Sequence, residues 1–166
     1  MKDELHLKRE ILEILSVDCT KTASEIAVML NQSEETVSLL IRQMEKDKTI
    51  LAYRAVVNRQ KVESTKTQCI IEVTCSPQRG VGFDAIAQRI YKFPEVRSLF
   101  LISGGFDLLL IVEGETMKDI CFFVAEKLAT LDHVKGTSTH FLLKRYKEDG
   151  FILEDGEKEQ RLAITP

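Results

Sequence analysis

The chain has 166 residues, enough for one medium domain or two small ones, and its 44% hydrophobic and 30% charged content is typical of a folded globular protein. Its longest apolar runs, such as 108–112, are far too short to span a bilayer, and no export signal is visible at the N-terminus, so we expect a cytoplasmic protein with no membrane partner. The four cysteines form no CxxC pair, which excludes the usual zinc and redox motifs. Because the net charge is −3, binding to nucleic acid would require a locally basic surface.

Apolar periodicity predicts three helices in the first fifty residues. Leucines and isoleucines at helical spacing over 7–15 mark the first helix. Thr22, with a glutamate three residues later, fits a capping box at the start of a short second helix. After a tight turn, Ser33 is suited to cap a third helix, and the β-rich stretch 49–57 predicts a short hairpin or a strand. We therefore predict a winged helix-turn-helix over 1–60, with a generic three-helix bundle as the alternative.

The outer face of the third helix would enter the major groove of double-stranded DNA. There Arg42 is suited to guanine, Leu39 to a thymine methyl group and Ser38 to a base or a phosphate, whereas Glu35 would need a cytosine amino group. Backbone amides at the start of the second helix, together with Arg54, Arg59 and Lys61, would contact phosphates. Because each subunit has so few cations, tight binding to DNA would need several subunits acting together. The predicted DNA-binding residues are Thr22, Ser24, Ser33, Glu35, Thr36, Ser38, Leu39, Arg42, Lys46 and Arg54.

The second half of the chain begins with a strand and a helix. The strand is predicted over 66–75, with Cys69 and Cys75 on one face, which favours packing over chemistry for both thiols. Apolar residues at helical spacing follow it, and Pro94 ends that helix.

Two β-type runs come next, over 96–103 and 106–113. Gly104 and Gly105 separate them, which predicts a two-residue hairpin turn.

A second helix and a last strand complete the pattern. Thr116 is suited to cap the helix, and the last strand is predicted over 134–146. The order βαββαβ over 61–146 predicts a ferredoxin-like antiparallel sheet with both helices on one face, and thus an α+β protein. A partner subunit is expected to cover the other face, and 147–166 is expected to be an extended arm that docks in the oligomer.

This arrangement resembles the Lrp/AsnC (feast/famine) transcription regulators. The resemblance covers nearly the whole chain, and the run Gly104-Gly105-Phe106-Asp107 is its most specific element. The segments 77–83, 89–96, 103–107 and 137–141 also look like a bacterial branch of that family. The resemblance implies homo-oligomers in which dimers assemble into octamers, DNA wrapping, and an amino-acid effector bound where dimers meet. The effector residues that it implies are Ser103, Gly104, Gly105, Phe106, Asp107, Thr137, Ser138 and Thr139.

The chemistry of these residues suits a zwitterion. Asp107 offers a carboxylate to an ammonium group, while the amide of Gly105 and nearby hydroxyls offer donors to a carboxylate. The alternative is that the glycines only form a turn and Asp107 only caps it.

We therefore predict a sequence-specific DNA-binding transcription regulator that responds to a small effector, and two other functions are alternatives to it. The loop 77–83, with Arg79, faintly resembles the phosphate loop of acylphosphatases, but 96–103 contains no Asn or Gln to orient a water. No nucleophile with an adjacent base and no histidine at metal-ligand spacing is present, so we expect no enzyme, no catalytic or metal site and no cofactor. A metabolite-sensing oligomeric module with weak or no autonomous DNA binding is the second alternative, because the third helix begins with Glu34 and Glu35 and has little arginine.

Overall fold

The computed structural model describes residues 2–62, 66–76 and 82–153. The chain divides into two compact units, Met1–Val57 and Asn58–Pro166. In the described ranges no helix is both long and apolar enough to cross a membrane.

The first unit contains the three predicted helices: α1 (Lys2–Val17), α2 (Ala23–Leu30) and α3 (Glu34–Lys46). Each helix turns one apolar stripe inward, as its period of 3.6 residues requires. The core of this unit consists of Ile11, Leu15, Ile26, Ala27, Val37, Leu40 and Met44.

A three-residue turn joins α2 to α3. Asn31 adopts the left-handed conformation at a φ of 52°, which asparagine tolerates better than most residues. The backbone N–H of Gln32 donates to the carbonyl of Ala27 at 2.9 Å, and Ser33 caps α3. All three residues of the turn therefore take part in ending α2 or in starting α3.

The expected hairpin or strand over 49–57 does not form, so that prediction was wrong. A strand needs a hydrogen-bonding neighbour, and the segment has none within the described residues. Its apolar residues do not alternate between buried and exposed positions: Leu51, Tyr53, Val56 and Val57 are all exposed. High β propensity therefore gives an irregular extended segment here.

The second unit is built on a four-stranded antiparallel sheet in the order β2-β3-β1-β4. This is the predicted ferredoxin-like arrangement, with strands and helices alternating as βαββαβ. Its elements are β1 (Thr67–Cys75), α4 (Asp84–Ile90), β2 (Val96–Leu101), β3 (Leu108–Gly114), α5 (Met117–Phe122) and β4 (Val134–Phe141).

The helices cover one face of this sheet and enclose the core. The predicted alternation in β1 is confirmed, because both Cys69 and Cys75 are buried. α5 begins with the predicted capping box at Thr116 and continues into a π-helical turn, Phe123–Leu128, whose Phe123 ring packs edge-on against Phe93 at 5.5 Å. The buried core residues are Cys69, Ile71, Val73, Cys75, Ile86, Ile90, Leu108, Leu110, Val112, Ile120, Phe123 and Leu128.

The connection between β2 and β3 is longer than the predicted two-residue turn. Leu101 pairs with Leu108, which leaves six residues, 102–107, in the loop. Tight two-residue hairpin turns require a positive φ, and neither Gly104 nor Gly105 has one. The glycines are therefore part of a wider loop.

β4 is shorter than predicted and ends at Phe141 instead of residue 146. The N–H of Leu142 still donates to the carbonyl of Gln68, but β1 begins at Thr67, so the chain beyond has no strand to pair with. A small hairpin follows, in which β5 (Lys147–Glu148) pairs with β6 (Phe151–Ile152). Of the predicted C-terminal arm, 154–166 lie outside the described residues, as does most of the loop considered for anion binding, 77–81 with Arg79.

Candidate nucleic-acid interface and effector site

Two of the predicted DNA-binding residues form the cap of α3. The hydroxyl of Ser33 accepts the backbone N–H of Thr36 at 3.1 Å, and the two side-chain oxygens lie 2.7 Å apart. This cap satisfies an amide that the first turn of a helix would otherwise leave unpaired. Both hydroxyls are thus held next to each other at the start of α3.

The start of α2 is fixed by a capping box. The hydroxyl of Thr22 accepts the N–H of Glu25 at 3.2 Å, and the Glu25 carboxylate accepts the N–H of Thr22 at 2.8 Å. The two Thr22 hydrogen bonds and the ammonium group of Lys21 lower the pKa of Glu25. Thr22 is therefore engaged inside its own helix, while Ser24 is exposed beside it.

The outer face of α3 has an acidic side. Glu35 and Leu39, which is 55% exposed, line a groove of about 690 Å³ together with the acidic residues of α1. These are Asp3, Glu4 and Glu10. A phosphate backbone would be repelled from this side.

The other edge of the same outer face is its cationic side, because it carries Arg42 and borders Lys21. Ser38 and Arg42 line a second groove, of about 300 Å³, together with Lys21 and Tyr53. Tyr53 donates its hydroxyl to the Glu45 carboxylate at 2.9 Å, which orients that acid. Burial, with help from Glu45, raises the pKa of Tyr53, so the phenol stays neutral at pH 7.

Arg42 makes no ion pair within the described residues and lies exposed on this cationic side. Lys46 is exposed in the last turn of α3, and Arg54 is exposed in the segment after it. Ser38 and Arg42 thus line one groove and Glu35 and Leu39 line the other, along the two edges of one outer face of α3.

Sequence reasoning missed Lys21 and the acids of α1 as contributors to these grooves. Lys21 precedes the capping residue of α2 directly, a position from which a long cation reaches the helix start, and that signal was available. The acids of α1 meet α3 only through the tertiary packing of the helices, for which periodicity gives no signal.

In the second unit, Asp107 closes the loop 102–107. Its carboxylate accepts the backbone N–H of Cys75 at 2.7 Å, and its own N–H donates to the carbonyl of Val73 at 3.1 Å. Its carbonyl accepts the N–H of Ile102 at 2.8 Å. The loop is therefore attached to the C-terminal end of β1, and Gly104 and Gly105 are exposed at its tip.

The start of β4 lies on the other side of the same end of β1. Thr137 pairs with Val73, so the loop and this threonine flank one residue of β1. Ser138 pairs with Glu72 and points to the opposite face, where its hydroxyl lies 3.2 Å from Nε2 of His140. The predicted cluster of effector residues is thus divided by the pleat: Thr137 and Thr139 share one face, and Ser138 lies on the other.

This geometry defines what the site offers a ligand. One carboxylate oxygen of Asp107 is bound to the Cys75 amide, and the other is suited to a cation such as an ammonium group. Burial, and then the Asp107 charge, raises the pKa of Cys75, so its thiol stays protonated. Half-buried Phe106 and Thr137 add apolar surface and a hydroxyl.

No geometry in the described ranges supports covalent or metal chemistry. Burial raises the pKa of Cys69 to about 11, which makes its thiol a poor nucleophile at pH 7. Those ranges contain no cluster of three His, Cys, Asp or Glu side chains that could hold a metal ion.

The sheet face opposite the helices is only partly covered within the subunit. Ile70, Leu109 and Ile111 are half-buried there, and Phe100 is exposed. Among them lies Glu113, whose side chain is only 7% exposed. Its carboxylate accepts from Arg59 at 2.8 Å and from Gln68 at 3.2 Å, and lies 3.4 Å from Arg97.

Comparison with known proteins agrees with this architecture. Residues 68–152 match the family model described as the Lrp/AsnC ligand binding domain. The chain is 42% identical over 158 residues to the uncharacterized HTH-type transcriptional regulator YugG of Bacillus subtilis, covering 95% of each protein. It is 28% identical to a proline dehydrogenase transcriptional activator of Rhizobium radiobacter, over 87% of this chain and 92% of the other.

Solved structures show the same fold. A leucine response regulatory protein of Mycobacterium tuberculosis superposes with a TM-score of 0.71 at 20% identity, covering 89% of this chain and 97% of the other. The L-Met complex of a transcriptional regulator from Neisseria meningitidis gives 0.66 at 24% identity, over 86% and 91%. The relatives named here are transcription regulators and not enzymes. The chain belongs to the Lrp/AsnC family of helix-turn-helix transcription regulators and carries that family's ligand-binding domain in its C-terminal half.

Proposed function

We propose that this protein is a sequence-specific DNA-binding regulator in which α3 reads the major groove. The observation that supports this most is the position of Arg42: exposed on α3, without an ion pair in the described residues, and beside Lys21 at the start of α2. A guanidinium group in that position can donate to the two acceptors of a guanine, while Lys21 and the amides near Ser24 approach the flanking phosphates.

An Arg42→Ala variant tests this role on DNA from the protein's own promoter. If Arg42 makes a bidentate base contact, binding to the specific site weakens by about 1–3 kcal/mol, and binding to random DNA changes little. Lys118→Ala, which removes an exposed cation from α5, is the matched control. Equal losses on specific and random DNA would assign Arg42 to a phosphate and contradict the base contact.

We further propose that an amino acid binds at the end of the sheet formed by the loop 102–107 and the start of β4, where dimers meet. The second carboxylate oxygen of Asp107 would accept the ammonium group, and the amide of exposed Gly105 and the hydroxyls of Thr137 and Thr139 would donate to the carboxylate. A structural relative binds L-Met, which supports an amino-acid ligand here. Ser138 belongs to this proposal only through a neighbouring subunit, because it faces the other side of the sheet.

The oligomer in this proposal begins as a dimer that covers the open sheet face. Half-buried Ile70, Leu109 and Ile111 and exposed Phe100 give this face an apolar centre, which a second copy would bury. An Ile111→Lys variant should be monomeric in light scattering, since a buried ammonium group opposes association. A dimer or octamer of that variant would refute this interface.

The domain assignment forms part of the same proposal: 1–60 binds DNA, 61–146 binds the effector and oligomerises, and 147–166 is an extension. Effector binding would shift the balance between dimers and octamers and so change the spacing of the α3 helices. Sedimentation velocity with and without a panel of the twenty amino acids tests this coupling. An unchanged size distribution with every amino acid would contradict it.

A metabolite-sensing module with weak DNA binding is the second candidate. It is favoured by the acidic groove along α3, where Glu35 lies with Asp3, Glu4 and Glu10. Binding to promoter DNA at two salt concentrations separates the candidates, because phosphate contacts predict a steep loss of affinity as salt rises. Absence of binding at low salt, together with an intact response to an amino acid, would establish the module.

A further inference from the structure

A basic groove lies at the end of the sheet where the chain leaves β4. Its volume is about 270 Å³, and no acidic side chain is among the described residues that line it. Four cationic side chains and two leucines give the groove its charge and its apolar surface: Arg59, Lys66, Lys144, Arg145, Leu142 and Leu143.

The basic groove is formed because 142–145 extends past the start of β1, with Arg59 and Gln60 beside it. Gln60 fixes the two together by donating its side-chain N–H to the carbonyl of Arg145 at 2.8 Å. Leu143 is 97% exposed, an unusual state for a leucine next to a row of cations. The groove therefore combines positive charge with uncovered apolar surface.

The cations also have acidic neighbours outside the groove. Arg145 pairs with Glu148 at 2.8 Å, and Lys66 lies 3.7 Å from Glu115. Lys144 lies over the ring of Tyr146 at 4.9 Å. These contacts orient the side chains around the groove, and none of their acidic partners is among the described residues that line it.

The last described residue lies next to this groove. Leu153 is 7% exposed; its N–H donates to the carbonyl of Tyr146 at 2.9 Å, and its carbonyl accepts from the side chain of Asn58 at 2.9 Å. Tyr146 follows Arg145 in the chain, and Asn58 precedes Arg59. Leu153 is therefore hydrogen-bonded to the chain neighbours of two groove cations, Arg145 and Arg59.

The sequence that starts there is acidic. Four of the six residues 154–159 are carboxylates: Glu154, Asp155, Glu157 and Glu159. An extended stretch of six residues reaches about 20 Å, enough to follow the groove. We propose that the acidic stretch 154–159 binds in the basic groove of its own chain.

Two arguments favour this occupant over DNA. Tethering gives the stretch an effective concentration in the millimolar range, which an external ligand seldom reaches. The two leucines also suit the aliphatic parts of a peptide, whereas a phosphodiester gains little from apolar contact. The inference depends on the second unit alone, and it stands or falls independently of the function of α3.

Zero-length carbodiimide cross-linking of the full chain tests the proposal, because this reagent joins carboxylates to lysines that are in salt-bridge contact. We expect cross-links from 154–159 to Lys66 or Lys144 at low salt, and a several-fold loss in 0.5 M NaCl. The Glu95–Lys127 pair, at 2.6 Å and not part of the groove lining, is the internal positive control. A variant with Glu154→Gln, Asp155→Asn, Glu157→Gln and Glu159→Gln should lose the tail cross-links and keep the control.

Oligomers refolded from equal amounts of ¹⁴N- and ¹⁵N-labelled chains show which chain the tail contacts. Cross-links confined to peptides of one isotope support the proposal, whereas mixed-isotope cross-links overturn it in favour of docking on a neighbouring subunit. The proposal also fails if the control pair forms and no tail cross-link does. Protection of Lys66 and Lys144 by promoter DNA without any tail cross-link would identify DNA as the occupant and overturn it as well.

Discussion

The carboxylate of Asp107 accepts the backbone N–H of Cys75 at 2.7 Å, so the residue that we propose binds an ammonium group also secures the end of β1. The N–H of Asp107 donates to Val73 as well, which places one hydrogen bond on each side of Thr74. A substitution at Asp107 thus affects the fold and the ligand site together, and the two effects must be separated by the choice of variant.

Asp107→Asn keeps an oxygen that can accept the Cys75 N–H and removes the charge. We expect its stability in urea to stay within about 1 kcal/mol of the parent, because a neutral acceptor replaces a charged one. Binding of an amino acid, measured by calorimetry with L-methionine and then the other nineteen, should be lost.

Asp107→Ala is the companion variant. It leaves the Cys75 amide without its acceptor, and we expect a loss of about 1–3 kcal/mol in the free energy of unfolding. An Asn variant that binds its amino acid as well as the parent does would exclude Asp107 as the ammonium acceptor.

Glu35→Gln should strengthen DNA binding at low salt. The substitution removes one of the acids that line the groove between α1 and α3, and so reduces repulsion of the phosphates. We expect about a two- to tenfold gain that fades as salt screens the charge, measured by fluorescence anisotropy on promoter and random DNA. A lower affinity for one sequence only would instead indicate that Glu35 accepts from a cytosine.

The two capping boxes allow a matched pair of stability measurements. Thr22→Ala removes the cap of α2, and Thr116→Ala removes the cap of α5, which has the same arrangement with Asp119. Each should lower stability by about 0.5–2 kcal/mol. Hydrogen exchange should locate the first loss in 2–57 and the second in the sheet unit; losses spread equally over both would show that the units unfold as one.

Glu113 predicts a stability difference that depends on pH. Burial raises the pKa of its carboxyl, but the hydrogen bond from Gln68 and the charges of Arg59, Arg97 and Lys66 outweigh this and bring the pKa below its ordinary value of 4.5. A pKa lowered by folding adds stability above the unfolded value and loses it as the pH falls through the folded value.

Glu113→Gln should therefore be less stable than the parent at pH 7, by about 1–3 kcal/mol, and the difference should shrink below pH 4.5. Urea unfolding at pH 7, 5, 4 and 3 measures it. A difference that is constant across this range would mean that the network around Glu113 contributes no charge-dependent stability.

Much of the fold was predictable because its signals are local and periodic. The spacing of Ile11, Val37 and Ile71 on their elements identified the buried faces, and the capping residues Thr22 and Thr116 marked where two helices start. These features depend only on residues within one turn or one strand.

The two wrong predictions interpreted a local sequence pattern whose structural requirement, a neighbouring strand or a positive φ, is not met in the fold. The β-prone segment 49–57 lacks a neighbouring strand, and the pair Gly104-Gly105 lacks the positive φ of a tight turn. Asp149-Gly150, where both residues do have positive φ and join β5 to β6, was a stronger hairpin signal that sequence reasoning overlooked.

The sequence predicted which residues belong to the candidate effector site, but not on which face of the sheet each side chain lies. Which of Thr137 and Ser138 lies on which face of the sheet depends on the register of β4 against β1, since a shift of one residue exchanges the faces. The acidic groove beside Glu35 likewise depends on the packing of α1 against α3, for which the chain carries no periodic signal.

The short connection between α2 and α3 has a consequence for how such a protein can diverge. Asn31 bends the backbone in the left-handed conformation, the N–H of Gln32 bonds to the last turn of α2, and Ser33 caps α3. Each of the three residues of the turn therefore has a structural role. Deletion of a residue from the turn would remove the bend, the hydrogen bond or the cap, and the crossing angle between α2 and α3 would change. Variation in DNA sequence preference is thus expected through exchanges of side chains along α3, while the angle at which the helix is presented stays constant.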